Sequence, residues 1–179
     1  QHKLTPNKPI IALLAGSRKQ EIKDNLPAMM QAAASFADRY QMVLACAPAI
    51  EAHYYDEVIA RVAVPNGMVL HRIENATYDL LQHATAALVT SGTATLETAL
   101  FGVPQVVCYK TPVPRLIRWA FTHILSCNYI SLVNLIADKE VVAELFADRF
   151  SVEQITTELA QILPGGAKRS EMLAGYGLV

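Results

Sequence analysis

Residues 86–97 read Ala86-Ala87-Leu88-Val89-Thr90-Ser91-Gly92-Thr93-Ala94-Thr95-Leu96-Glu97. An unbroken apolar run leads into a glycine turn and then into a helical pattern. Parallel strands covered on both faces are continuously apolar rather than alternating. Ala86-Ala87-Leu88-Val89 meets that condition, and so does Met42-Val43-Leu44-Ala45-Cys46. Working outward from this unit, strands are expected at about 9–15, 41–46, 67–71, 86–90, 105–109 and 128–132. Helices are expected between and after them, at about 20–39, 50–63, 75–83, 93–101, 114–126, 139–146 and 152–162. The alternation predicts an α/β fold, a doubly wound parallel sheet of about six strands flanked by helices. Ligands of such sheets bind beyond the carboxyl ends of the strands. The boundaries carry punctuation: Asn75 as a helix cap, Ser151 with Gln154 three residues on at capping-box spacing, and Pro164-Gly165-Gly166 as a stop.

Composition supports one compact unit spanning residues 1–179. Of the 179 residues 53% are hydrophobic and 17% charged, which excludes disorder, collagen-like arrays and a disulfide-stapled mini-protein. A chain of this length buries roughly 70% of its unfolded surface, enough for one self-sufficient core. Ala supplies 26 positions against 13 aromatic ones, which suits close packing of helices on a sheet. The formal net charge of -1 argues against a general nucleic-acid binder. That average conceals a stretch between Glu97 and Asp138 with no acidic residue, in which Lys110, Arg115 and Arg118 fall. Cys46, Cys108 and Cys127 have no metal or C-x-x-C spacing and read as reduced core thiols of a cytosolic protein. Residues 1–179 show no signal-peptide pattern at their start and no apolar run of the roughly 18 residues that spans a bilayer. The first residue is not Met and the last helical pattern stops abruptly, so both ends are expected to be cuts in a longer chain.

Two loops satisfy the geometric expectation for a ligand. Gly16-Ser17-Arg18 follows the first strand and Ser91-Gly92-Thr93 follows the fourth. A glycine after a strand lets a ligand approach the backbone, while the next helix offers unpaired N–H groups and a positive dipole end. A phosphate suits either loop, and Arg18 adds a charge-assisted fork. Equally, any βα unit needs a turn glycine and a cap, and neither loop carries the fingerprint of a dinucleotide site or P-loop. Glu97 lies one helical turn beyond Thr93, so its carboxylate faces back toward the helix N-terminus. There it can accept hydrogen bonds from the vicinal hydroxyls of a ribose, or merely complement the helix dipole. His53, His71, His83 and His123 lack metal spacing; His71, at the expected end of the third strand, is the one placed to touch a nucleotide. Neither Ser17 nor Ser91 sits in a nucleophile elbow.

Three blocks together resemble a known family. Ser91-Gly92-Thr93-Ala94-Thr95-Leu96-Glu97, with Ala99, Gly102-Val103-Pro104 and Val106-Val107-Cys108-Tyr109, is similar to the donor-site signature of sugar-nucleotide glycosyltransferases with two Rossmann-like domains, the GT-B fold. Leu14-Ala15-Gly16-Ser17-Arg18 with Glu21-Ile22, and Tyr129-Ile130-Ser131-Leu132-Val133-Asn134-Leu135 followed by Glu140-Val141-Val142 and Glu144-Leu145, resemble the lipid-A-disaccharide synthase family in particular. The resemblance covers nearly the whole chain and identifies it with one half of a GT-B fold, the C-terminal donor domain.

The resemblance implies an inverting, metal-independent hexosyl transfer without cofactor. A UDP-2,3-diacylglucosamine donor gives its sugar to 2,3-diacylglucosamine 1-phosphate in lipid A biosynthesis. It further implies that Glu97 holds the ribose and that the Ser91-Gly92-Thr93 amides meet the diphosphate. Gly16, Ser17 and above all Arg18 stabilise the leaving UDP, and Asn134 orients the diphosphate or sugar from the opposite lip. The backbone at Arg72-Ile73, read as the loop after the third strand, contacts uracil. Two departures, Ala15 and Val133 where the family often has Pro, relax turns without removing a functional group. The acidic general base belongs to an N-terminal acceptor domain absent from this chain, so the chain alone is expected to be inactive.

Acylated substrates also place the enzyme on the cytoplasmic face of the inner membrane of a Gram-negative bacterium. Residues 113–125 set Arg115 and Arg118 beside Trp119 and Phe121, which suits a peripheral contact with anionic lipid. The same helix equally suits packing on the missing domain or on a second subunit in a homodimer. Two other readings stand beside the first: the donor domain of another UDP-N-acetylglucosamine enzyme, a cell-wall transferase or epimerase, and a non-catalytic nucleotide-binding or interaction module.

Overall fold

The computed structural model describes residues 4–63, 68–90, 92–111 and 129–179. Six parallel strands form one sheet: β1 (Ile10–Leu14), β2 (Gln41–Cys46), β3 (Leu70–Glu74), β4 (Ala84–Val89), β5 (Gln105–Tyr109) and β6 (Ala143–Phe146). Their order is β3-β2-β1-β4-β5-β6. The chain thus builds outward from β1 in one direction, returns to β4 on its other side and builds outward again. Between the strands and after them run α1 (Lys19–Ala34), α2 (Ala52–Ala60), α3 (Thr77–His83), α4 (Thr93–Leu100), α5 (Leu132–Ala137), α6 (Val152–Ile162) and α7 (Arg169–Gly175).

Side chains of a strand alternate between faces, and β1 divides accordingly. Ile11 and Leu13 join a core with Ile22, Leu26 and Met29 of α1, Tyr55 of α2 and Ile155 and Leu159 of α6. Ile10, Ala12 and Leu14 face the other way, into a smaller core with Val43, Leu80 and Leu81 of α3, and Val89. Every residue of β1 is buried, as a doubly covered strand requires. Cys46 and Cys108 are buried free thiols, the former pushed up to about 11 mainly by burial and the latter also raised by burial.

The strand at 41–46 and the α6 helix match the sequence reading residue for residue, and Ser151 Oγ caps α6 by accepting the Gln154 N–H at 3.1 Å. Three expectations are corrected. Residues 129–131 are not strand but a turn leading into α5, and the sixth strand lies at Ala143–Phe146, where a helix was expected. Short apolar runs do not distinguish the two states by periodicity; pairing of Val106 with Ala143 and Cys108 with Leu145 decides for strand. The third strand sits three residues later than expected, at Leu70–Glu74, because its register is set by pairing with β2 from Met42–Leu70 to Cys46–Glu74. Asn75 does not cap α3: it takes a left-handed φ of 53°, Ala76 stands at the cap position, and no side chain caps that helix. The expected helix at 114–126 and Cys127 lie outside the described residues.

Leu88 is fully buried in β4 between β1 and β5. Leu88→Ala should lower the unfolding free energy by about 2–5 kcal/mol, measured by urea denaturation followed by far-ultraviolet circular dichroism.

Candidate functional site

A cleft of about 400 Å³ opens at the carboxyl ends of the three central strands. The loop after β1 contributes Gly16, Ser17 and Arg18, the loop after β2 contributes Ala47 and Pro48, and the segment after β4 contributes Gly92, Thr93 and Ala94; Glu97 closes one side. Neighbouring β1 and β4 send their following helices to opposite faces, which parts the two loops and leaves the crevice. Gly92 adopts φ 127° and ψ -162°, a conformation open in practice to glycine alone. Without a capping side chain, the first-turn amides of α4 at Thr93 and Ala94 stay available at the cleft wall. At its far end α4 closes with Gly102 N–H donating to Ala99 O and Val103 N–H to Thr98 O, a Schellman cap. The helix presenting Glu97 is therefore fixed at its C-terminal end.

The first loop differs from the second. Glu21, in the first turn of α1, folds back so that Oε2 accepts the Ser17 N–H at 3.0 Å. Gly16 has φ 108°, and a Cβ there would collide with the Glu21 side chain. The protein's own carboxylate thus occupies the amide at this turn. Arg18 keeps its guanidinium out over the rim, 82% exposed and 3.7 Å from Glu21 Oε1. The first loop offers the cleft an exposed positive charge, and the second offers helix-terminal amides. Asn25 supports the arrangement from below: fully buried on α1, it accepts the Lys110 N–H at 2.8 Å and donates to Glu21 O at 2.8 Å, tying the end of β5 to the turn of α1 that carries Glu21.

A second hollow, of about 500 Å³, adjoins the cleft and is lined by Asn75, Ala76, Thr77, Tyr78, Asp79 and Glu97. Glu97 lines both spaces, and its Oε1 accepts a hydrogen bond from Tyr78 Oη at 3.2 Å. The negative charge of Glu97 raises the Tyr78 pKa, so the phenol is a donor throughout the neutral range.

The structure brings Gly16, Ser17, Arg18, Gly92, Thr93 and Glu97 to one cleft; Ser91 lies outside the described residues. Arg72 and Ile73 are corrected. Both belong to β3 rather than to a loop, Ile73 is buried in the smaller core, and Arg72 is paired with Asp56 at 2.8 Å and Ala52 O at 3.3 Å. The loop that follows β3 is Asn75-Ala76. The same shift takes His71 away from the cleft to a hollow at the amino-terminal edge of the sheet.

Asn134 is corrected as well. It is fully buried, and both ends of its amide are used within the protein. Its Oδ1 accepts the N–H groups of Val141 and Val142 at 2.7 and 2.9 Å, while Nδ2 donates to Val142 O and Glu144 Oε1, each at 2.9 Å. Glu144, buried in β6, also accepts from the Ile130 and Ser131 N–H groups and from Ser131 Oγ at 2.7 Å. Ser131, Asn134 and Glu144 form a closed polar knot that shapes the turn before α5. Asn25 and Tyr78 escaped the sequence reading, and Glu144 was read there only as part of a motif, because a polar residue on a helix or strand looks solvated until its partner is known. Among the described residues, no group of three His, Cys, Asp or Glu side chains could hold a metal ion. No helix among them is long and apolar enough to cross a membrane.

A family model described as lipid-A-disaccharide synthetase matches residues 1–174. The chain belongs to that family. Similar relatives include the lipid-A-disaccharide synthase of Syntrophus aciditrophicus, 40% identical over 86% of this chain and 39% of its own length. That of Acidobacterium capsulatum is 33% identical over 99% of this chain and 46% of its own. The chain therefore spans less than half the length of these lipid-A-disaccharide synthases. Solved structures share the fold at low identity. The UDP-GlcNAc 2-epimerase of Neisseria meningitidis, crystallised with UDP-GlcNAc, matches with a TM-score of 0.58 and 15% identity over 98% of this chain and 43% of that one. WaaG, a glycosyltransferase involved in lipopolysaccharide biosynthesis, matches with a TM-score of 0.57 and 17% identity over 95% of this chain and 42% of that one. The fold is one Rossmann-like half of a GT-B architecture.

Asn134→Ala would take the acceptor from the buried Val141 and Val142 amides and remove one of the three donors to Glu144 Oε1. It should cost at least about 2 kcal/mol in urea unfolding, while UDP affinity, measured where the variant is still folded, stays within about twofold.

Proposed function

We propose that this domain binds the UDP-2,3-diacylglucosamine donor of a lipid-A-disaccharide synthase, with the nucleotide in the cleft between the Gly16 and Gly92 loops. The observation that carries this reading is the convergence of Arg18, the open N-terminus of α4 and Glu97 on one cleft at the switch point of the sheet. The spacing of these groups suits the parts of a nucleoside diphosphate: α4 amides for the diphosphate, Glu97 for the ribose hydroxyls, and Arg18 reaching in from the rim. Family membership favours this donor over that of a cell-wall transferase or an epimerase, and a cleft lined by Arg18, Glu97 and the open start of α4 favours it over a purely structural module.

In the transfer, a hydroxyl of 2,3-diacylglucosamine 1-phosphate attacks the anomeric carbon. The bond from that carbon to the diphosphate oxygen breaks, and UDP leaves with the added negative charge. Arg18 meets that charge as it develops, which is where a cation lowers the barrier most. The acceptor's proton passes to an acidic base, which the family resemblance assigns to an N-terminal acceptor domain. The acylated substrates place the whole enzyme on the cytoplasmic face of the inner membrane, and the basic, aromatic segment 113–125 suits contact with it or with a second subunit.

Calorimetric titration with UDP tests the site. Wild type should bind with measurable heat in the millimolar range or below, and Glu97→Ala should weaken binding roughly tenfold or more. Absence of heat, or an unchanged affinity in Glu97→Ala, overturns the assignment. In the full-length enzyme, Arg18→Ala should lower kcat by about 100-fold or more with a smaller change in donor KM; a raised donor KM with kcat unchanged would make Arg18 a ground-state binder instead.

A further inference from the structure

We propose that Tyr78 is a positioning residue for Glu97 and thereby sets the selectivity of the cleft for ribose over sugars lacking the vicinal diol. The inference rests on the nucleotide-binding reading given above and assigns a role to a residue outside the motifs.

Tyr78 is 55% exposed, yet it is held at two points. Its ring rests against Phe101 with centroids 5.3 Å apart, and its hydroxyl donates to Glu97 Oε1 at 3.2 Å. Glu97 and Phe101 are four residues apart, so they lie one above the other on the same side of α4 and its terminal turn. The tyrosine from α3 therefore lies along that side, with the ring over one residue and the hydroxyl on the other. Phe101 itself packs against the smaller core, so the platform under the ring is anchored.

This clamp acts on the carboxylate at the wall between the cleft and the adjoining hollow. A glutamate has three side-chain torsions, and gripping a diol freezes them. Tyr78 has frozen them beforehand, so part of the ordering cost of binding is removed. A carboxylate accepts about four hydrogen bonds. One goes to Tyr78, and the second lone pair of Oε1 together with both of Oε2 remain for two ribose hydroxyls. The raised pKa of Tyr78 keeps the phenol a donor at every pH near neutrality, so the clamp does not titrate there.

The test is a four-way titration of this chain: wild type and Tyr78→Phe, each with UDP and with 2′,3′-dideoxyuridine 5′-diphosphate. Tyr78→Phe keeps the ring on Phe101 and removes the hydroxyl alone, and thermal melting checks that the fold is retained. Wild type should prefer UDP. In Tyr78→Phe the affinity for UDP should fall roughly three- to tenfold while that for the dideoxy compound holds, so that the preference shrinks by the same factor. An equal loss for both ligands would mean a merely structural residue and overturn the proposal. Unchanged or tighter UDP binding would mean that the phenol competes with the ribose, and would also overturn it. If wild type does not distinguish the two ligands, the ribose role of Glu97 itself fails, and that outcome is read from wild type alone.

Discussion

Parallel pairing of β1 with β4, running from Ile11–Ala86 to Leu14–Val89, joins the two halves of the chain at the centre of the sheet. The strand before this junction sends α1 to the face that also carries α2 and α6, while Ala94 of α4 and Phe101 at its end pack on the other face. Two adjacent loops must then diverge, and the space between them cannot be filled by either helix. The cleft is a consequence of the strand order, and its chemistry is what the two loops happen to carry. Every other feature of the site serves to hold those loops in place.

That holding is done largely with polar groups, most of them buried. Asn25 ties the end of β5 to the first turn of α1, Glu21 occupies the amide of Ser17, and Ser131, Asn134 and Glu144 saturate one another beneath the turn into α5. Removing a member of such a set leaves partners stranded in a medium that cannot replace water. Residues that look like ligands in a motif can therefore be scaffold. Asn134 is the clearest instance: the motif position is where the family resemblance places it, while its amide faces inward and is fully occupied.

In the proposed function, the two cleft loops divide the work of meeting the diphosphate. α4 begins at a glycine with no cap, so its amides face the space directly. Before α1, Glu21 takes up the Ser17 amide of the turn, and this loop contributes the exposed guanidinium of Arg18. In that reading, a helix-terminal dipole and an exposed charge at the rim suit a ligand whose negative charge grows during reaction. The chain belongs to the lipid-A-disaccharide synthetase family and spans less than half the length of the curated relatives it matches.

The continuous apolar runs of β1, β2, β4 and β5, the glycine turns and the position of Glu97 one turn into α4 were legible because each depends on residues within a few positions of one another. Doubly covered strands, turns needing positive φ and helix periodicity are local properties, and the fold class and the cleft loops follow from them. The third and sixth strands were misplaced because their positions depend on partners in β2 and β5, far away in the chain. Arg72 and Ile73 left the site with that shift, and Asn134 left it through hydrogen bonds to residues on the next element. The Tyr78–Glu97 pair entered it for the same reason, across nineteen residues of sequence. The sequence by itself determined the kind of layers and the chemistry available at the strand ends. Only the tertiary structure decided which polar groups face the cleft, because a side chain's direction is fixed by the partners that satisfy it and not by the motif in which it sits.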